Sequence, residues 1–198
     1  MKSNKLILAA LMAGAAQTAF AVNNQPYGAI EGTYFNPDNL RQEKNGSGGA
    51  LIFGIPAGQY LAGELNLFGV RADQTNGTSF NKTWGGGLDL HVYPFKRTGT
   101  FAPFLSIGSG SQYEDRNGPE RGYLFLNAGG GFLANLTADG RTALRVEAKR
   151  VRVHDYELVP GQDNLWDTRI SAGIQVAFGN DPVPPPPGYV GFDQGGLL

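Results

Sequence analysis

The stretch Ser171-Ala-Gly-Ile-Gln-Val-Ala-Phe178, followed at once by Gly179-Asn-Asp-Pro-Val-Pro-Pro-Pro-Pro187, decides how the rest of the chain is read. Ile170, Ala172, Ile174, Val176 and Phe178 fall on one parity, and Arg169, Ser171, Gly173, Gln175 and Ala177 on the other. Side chains alternate faces along a β-strand, so one face here is wholly apolar while the other is mostly polar or small. A run that ends on an aromatic and then meets prolines, which cannot donate to a sheet ladder, is a terminal strand. Two settings fit this pattern: the edge of a soluble β-sandwich, or a membrane strand with lipid on one side and a barrel interior on the other.

The N-terminus separates the two. Lys2 and Lys5 precede an apolar run from Leu6 to Ala16, and Ala19-Phe20-Ala21 follows as a small-x-small cleavage site. This is the build of a secretory signal peptide, too short for a membrane anchor of about 18 or more apolar residues. The expected organisation is a signal peptide at 1–21, a β-barrel at 22–179 and a Pro-rich linker with a short tail at 180–198. The expected destination is the bacterial outer membrane, reached through the periplasm.

Composition narrows the class further. A mean hydropathy of −0.24, with no later long apolar run, excludes helical membrane spans. Thirty glycines and 11% aromatic residues suit short tilted strands with aromatic girdles. With no cysteine, disulfides and thiolate metal sites are excluded, and a net charge of −1 carries no nucleic-acid footprint. Gly85-Gly-Gly87 and Gly129-Gly-Gly131 lack the following helix and Lys-Ser/Thr of a phosphate loop, so they are read as room for large neighbours and no cofactor is expected.

Alternation predicts an all-β, eight-stranded, antiparallel up-and-down transmembrane β-barrel. The strands are Tyr27 to Phe35, Gly49 to Ile55, Gln59 to Arg71, Thr83 to Phe95, Thr100 to Tyr113, Gly122 to Leu136, Arg141 to about His154, and Leu165 to Phe178. Parity is clearest in the third, where Leu61, Leu65 and Leu67 oppose Ala62, Glu64 and Asn66. Long polar connections are expected to alternate with short turns, the long ones outside the cell. Tyr60, Tyr93, Phe95, Phe101, Phe104 and Phe178 are expected to form one aromatic belt, and Tyr34, Trp84, Tyr123 and Trp166 the other.

Signal peptide, strand count, terminal strand and Pro-rich exit together resemble the N-terminal transmembrane domain of the OmpA family, over about Pro26 to Pro187. The motifs that carry the likeness are Ala143-Leu-Arg-Val-Glu-Ala148, similar to the family's seventh strand, and the Val183-Pro-Pro-Pro-Pro187 linker after a terminal Phe. Full-length members continue into a peptidoglycan-binding domain; here only Gly188 to Leu198 follows, so the expectation is a barrel alone or a chain that stops inside its linker. Ser171, Gly173, Val176 and Phe178 resemble the C-terminal signal read by the barrel-assembly machinery, which the likeness implies as a partner during biogenesis.

An eight-stranded barrel is just wide enough for side chains to fill. The inward set read from parity is Glu31, Glu64, Asp89, His91, Arg145, Glu147, Lys149, Asp167 and Arg169. Mixed signs in a low-dielectric interior call for pairing, so Arg145 and Arg169 are expected to engage carboxylates such as Glu64 or Glu147, and His91 to hydrogen-bond in the lumen. This resembles the family's interior ion-pair cluster. A lipid A-modifying enzyme would need a nucleophile and base at the outer rim, where His154, Asp155, Ser109 and Ser111 are the only candidates, and nothing in their spacing makes them meet. The expected role is structural and non-enzymatic: envelope integrity, contact with outer-membrane lipid and lipopolysaccharide, and loops available to a surface ligand. A small or gated porin-like channel is the alternative.

Overall fold

The computed structural model describes residues 25–75, 80–97, 100–115, 120–137, 140–154 and 164–178; the expected signal peptide, the tail and Asp155 lie outside the described residues. Eight strands run in order: β1 (Tyr27–Asn36), β2 (Gly46–Pro56), β3 (Leu61–Asp73), β4 (Phe80–Val92), β5 (Phe101–Asp115), β6 (Arg121–Asn135), β7 (Thr142–His154) and β8 (Asn164–Ala177). Each pairs antiparallel with its sequence neighbour, and β8 returns to β1, so the sheet closes into a barrel and no strand is left as an edge. The two ends of the barrel chain, Tyr27 and Ala177, lie side by side; that end is called the near end and its opposite the far end.

Parity sets the faces, as Leu65 on β3 is exposed while Glu64 beside it is buried, and Ile174 on β8 is exposed while Gln175 is buried. Ile30, Leu88, Leu105 and Leu124 stand 64–70% exposed on different strands, so the apolar surface encircles the barrel. A water-soluble domain does not present a continuous apolar belt of that kind. Tyr60, Phe95, Phe101 and Phe178 are exposed toward the near end, and Tyr34, Trp84, Tyr113 and Trp166 toward the far end, where Trp84 and Tyr113 stack at 4.7 Å. At the closure the Phe178 amide donates to the Pro26 carbonyl at 2.7 Å, and the Phe178 ring lies over Gly28.

Three expectations are corrected. Tyr93, Phe104 and Tyr123 face the interior, not the belts, because strand parity or the turn that carries them aims them inward. β2 begins at Gly46, so Gly46-Ser-Gly48 is strand and not loop: a Cβ on Gly46 or Gly48 would collide with the β3 backbone, and only glycine permits that approach. β4 runs from Phe80 to Val92 instead of Thr83 to Phe95, since polar Asn81 and Lys82 pair with Ala72 and Arg71 while Pro94 ends the ladder. The alternation of long and short connections is also weaker than expected, because the turn at 93–100 is longer than the connection at 116–120.

Candidate functional site

The interior is built in layers. At the near end Tyr27, Tyr93, Phe104 and Leu133 form an apolar floor; toward the far end Phe68, Phe125, Val151, Val153 and Leu165 form an apolar ceiling. Glycines let the large rings in, since a Cβ on Gly87 or Gly110 would press on the tip of Phe125, and one on Gly131 on Phe104. Charged side chains from inward positions of β1, β3, β4 and β7 meet between floor and ceiling.

Arg145 is at the centre of this layer and is fully buried. Its Nη1 and Nη2 donate to the two Glu64 carboxylate oxygens at 2.7 and 2.8 Å, the bidentate fork that guanidinium and carboxylate planes favour. Nη2 also reaches Glu147 Oε2 at 3.3 Å, and Nε lies 2.8 Å from Glu31 Oε1, close enough to pair although off the hydrogen-bond direction. Lys149 Nζ bridges Asp89 at 2.8 Å and Glu147 at 3.1 Å, while Asn127 Nδ2 donates to the other Asp89 oxygen at 2.8 Å. Tyr27 donates its hydroxyl to Glu64, and His91 Nε2 sits 3.1 Å from Glu64 without hydrogen-bond alignment, its ring against Phe104. Glu31, Glu64, Asp89, Arg145, Glu147 and Lys149 are thus brought into one network, and removing any cation from it would strand buried carboxylates.

Asp167 and Arg169 are not in that network. Arg169 Nη2 donates to Gln112 Oε1 at 2.8 Å, and its guanidinium lies 3.7 Å from the Phe68 ring centroid and 5.5 Å from that of Phe125. Among the described residues no carboxylate comes within ion-pair distance of Arg169, so the expected acidic partner is replaced by an amide and two aromatic faces; the inward Phe68 and Phe125 take up the space.

Asp167 serves a second charged layer at the far end, which the strand pattern did not show. The first far-end connection folds inward as a 3-10 turn, Asn39–Arg41, with Asp38 as its cap. Arg41 Nε and Nη2 donate to Asp167 at 2.9 and 3.0 Å, and Nη1 donates to both Glu114 oxygens at 2.7 and 2.8 Å. Burial by itself would lower the Arg41 pKa, but Asp167 and Glu114 outweigh it and raise it above the ordinary value, so the cation is held. Asp38 ties the same turn to β8: its amide donates to Asp167 Oδ1 at 2.9 Å and its carboxylate accepts from the Trp166 amide at 2.8 Å. Arg41 stands next to Leu40 in a non-periodic segment, so no alternation marked it.

Between the two charged layers, a cavity of about 20 Å³ beside Glu31, Asp89, Lys149 and Arg169 has room for about one water. The lumen in this region is filled. The serine and histidine candidates are on the outer wall instead. Ser111 stands opposite Leu124, which stands opposite His154, so two strand spacings of about 4.8 Å each lie between their backbones. His154 Nδ1 faces Asn164 Oδ1 at 3.2 Å. No group of three metal-ligating side chains occurs among the described residues. Of the four terminal-strand residues, Ser171 Oγ meets Thr33 Oγ1 at 2.9 Å, Gly173 gives space to the β1 backbone, and Val176 and Phe178 face outward.

With this geometry in view, the likeness to known structures is one of fold. Neisserial surface protein A superposes with a TM-score of 0.53 at 14% identity, covering 77% of this chain and 97% of that one. The outer membrane protein OprG from Pseudomonas aeruginosa gives 0.54 at 13% identity, covering 83% and 99%. The chain has the fold of a small outer-membrane β-barrel. No family model and no curated protein sequence matches it. At such identities the shared property is the closed barrel; the ionic layers are argued from this chain's own residues.

Proposed function

We propose that this protein is an OmpA-like barrel of the bacterial outer membrane, with a structural and non-enzymatic role: it anchors in the bilayer, helps seal the envelope and presents its far-end loops outside the cell. The observation that carries this reading is the combination of an apolar belt around a closed barrel with an interior filled by paired charges. The belt fits lipid, and the filled lumen fits a plug better than a pore. In the expected orientation the near end, where both barrel termini meet, faces the periplasm, and the strapped turn at Asp38 and Arg41 faces out.

A gated channel is the second reading, and one observation favours it. Glu147 is shared between Arg145 and Lys149 at 3.3 and 3.1 Å, so an exchange of partners needs only short movements. Deleting the gene in its native host and scoring leakage of a periplasmic reporter and sensitivity to detergent tests the structural reading. Loss of barrier function, restored by wild type without any change in the mass of lipid A, is expected. An intact barrier in the deletion strain together with altered lipid A would reject the reading in favour of lipid chemistry.

A further inference from the structure

On β7 the outward positions run Leu144, Val146, Ala148, then Arg150, Arg152 and His154. Alongside the arginines β6 stays apolar, while β8 alternates Trp166 with the polar Asn164 and Thr168. Ala128 and the exposed Leu126 stand opposite Arg150 and Arg152 on β6, and Trp166 stands opposite Arg152 on β8. Two exposed guanidinium groups therefore sit on the lipid-facing wall at the depth of a far-end belt aromatic. A cation there is costly unless it reaches the interface or meets an anion.

The arginines are held in place by neutral partners. Arg150 Nη1 donates to Thr168 Oγ1 at 2.7 Å, Arg152 Nε donates to Asn164 Oδ1 at 2.8 Å, and both guanidinium carbons lie within 6 Å of the Trp166 ring, at 5.8 and 5.9 Å. Each of these bonds uses one nitrogen of the fork. Among the described residues no carboxylate lies within ion-pair distance of Arg150 or Arg152, in contrast to the interior, where Arg41 and Arg145 each engage two or more. Two neighbouring like charges, oriented by neutral partners and without a carboxylate among the described residues, suit an anion.

Beside Arg152, across β6 to β3, the outer wall is grooved. Gly86 and Ser109 give β4 and β5 a low relief between the taller Leu65, Leu88 and Leu126, and the resulting trough of about 760 Å³ has Arg152 and His154 on its rim. An apolar trough with a cationic rim matches one kind of ligand, an acylated lipid with an anionic headgroup, with chains along the trough and phosphate at the arginines.

We propose that Arg150 and Arg152, with the trough beside Arg152, form a binding site for a phosphorylated, multiply acylated glycolipid of the outer leaflet, of the lipid A type. The inference rests on the membrane placement proposed above. Arg150 and Arg152 contact the phosphate, Trp166 stacks at the headgroup boundary, and Leu88, Leu124 and Leu126 pack against acyl chains.

The test uses the full mature chain in detergent micelles and native mass spectrometry, with diphosphorylated lipid A and its enzymatically dephosphorylated form as probes. Wild type should retain the diphosphorylated lipid and bind the dephosphorylated one more weakly. Changing Arg150→Gln and Arg152→Gln together should weaken the first roughly tenfold or more, as expected for loss of charge-assisted hydrogen bonds, and leave the second unchanged. A control pair on another part of the wall, Arg71→Gln with Lys82→Gln, should leave both unchanged. Equal retention of the two lipids by wild type, or an equal loss in the control pair, would overturn the site. Insertion into phosphatidylcholine vesicles, followed by protease protection, is scored separately: failure there defeats the membrane reading itself, whereas normal insertion without phosphate selectivity defeats only this inference.

Discussion

At the scale of single residues, the interior contains two arginines that alternation could not tell apart. Arg145 has carboxylates from three glutamates around it; Arg169 has an amide and two rings. Replacing Arg145 by methionine leaves Glu31, Glu64 and Glu147 with one cation fewer and should cost about 3–5 kcal/mol, the usual penalty for breaking a buried pair. Arg169→Met strands only the Gln112 oxygen, so it should cost about 1–3 kcal/mol and retain the packing against Phe68. Urea titrations in lipid vesicles check the order; equal losses would mean that Arg169 has an acidic partner after all. At the far end Arg41→Ala leaves Asp167 and Glu114 buried and facing each other, with a comparable loss expected. The 3-10 turn is strapped to the barrel through Asp38 and Arg41, whereas Gln42, Glu43 and Lys44 are tied separately to the far-end residues of β3 and β4, so protease cleavage within 37–41 should also become faster in that variant.

At the scale of elements, β3 and β8 test the register. Ile174 is an outward residue of β8 between the belt aromatics Trp166 and Phe178, so Ile174→Arg should destabilise by about 2–4 kcal/mol, while Leu61→Arg at the near-end tip of β3 should cost about 0–1 kcal/mol. The reverse order would place the apolar belt at the wrong height. For β8 as the closing strand, Phe178→Ala removes the ring over Gly28 and one residue of the proposed assembly signal. Outer-membrane yield and heat-modifiability on gels should fall in that variant and stay normal when 188–198 are deleted; equal yields would separate Phe178 from assembly. Much of this layer was legible in the sequence, because lipid on one side and a packed lumen on the other force a strict period of two, as Leu65 beside Glu64 shows. What was not legible has physical causes. Gly46 and Gly48 look like loop by composition but are needed for close backbone approach, and Tyr93 and Phe104 are chemically suited to a belt while the barrel floor needs them. Arg41 reaches the lumen from a connection, where no period exists to place it.

At the scale of the whole molecule, the barrel is filled in layers: an apolar floor, a charged layer centred on Arg145, an apolar ceiling and a second charged layer closed by Arg41. Eight strands leave little space beyond what these side chains fill, and the small cavity between the charged layers admits about one water. Single-channel recording in a planar bilayer tests this claim most directly. Wild type should show rare, small openings or none; Glu64→Ala and Arg145→Ala should raise their frequency or size, because each breaks the layer that blocks the lumen. A large, steady wild-type conductance that neither substitution alters would contradict the plug and make the protein a channel.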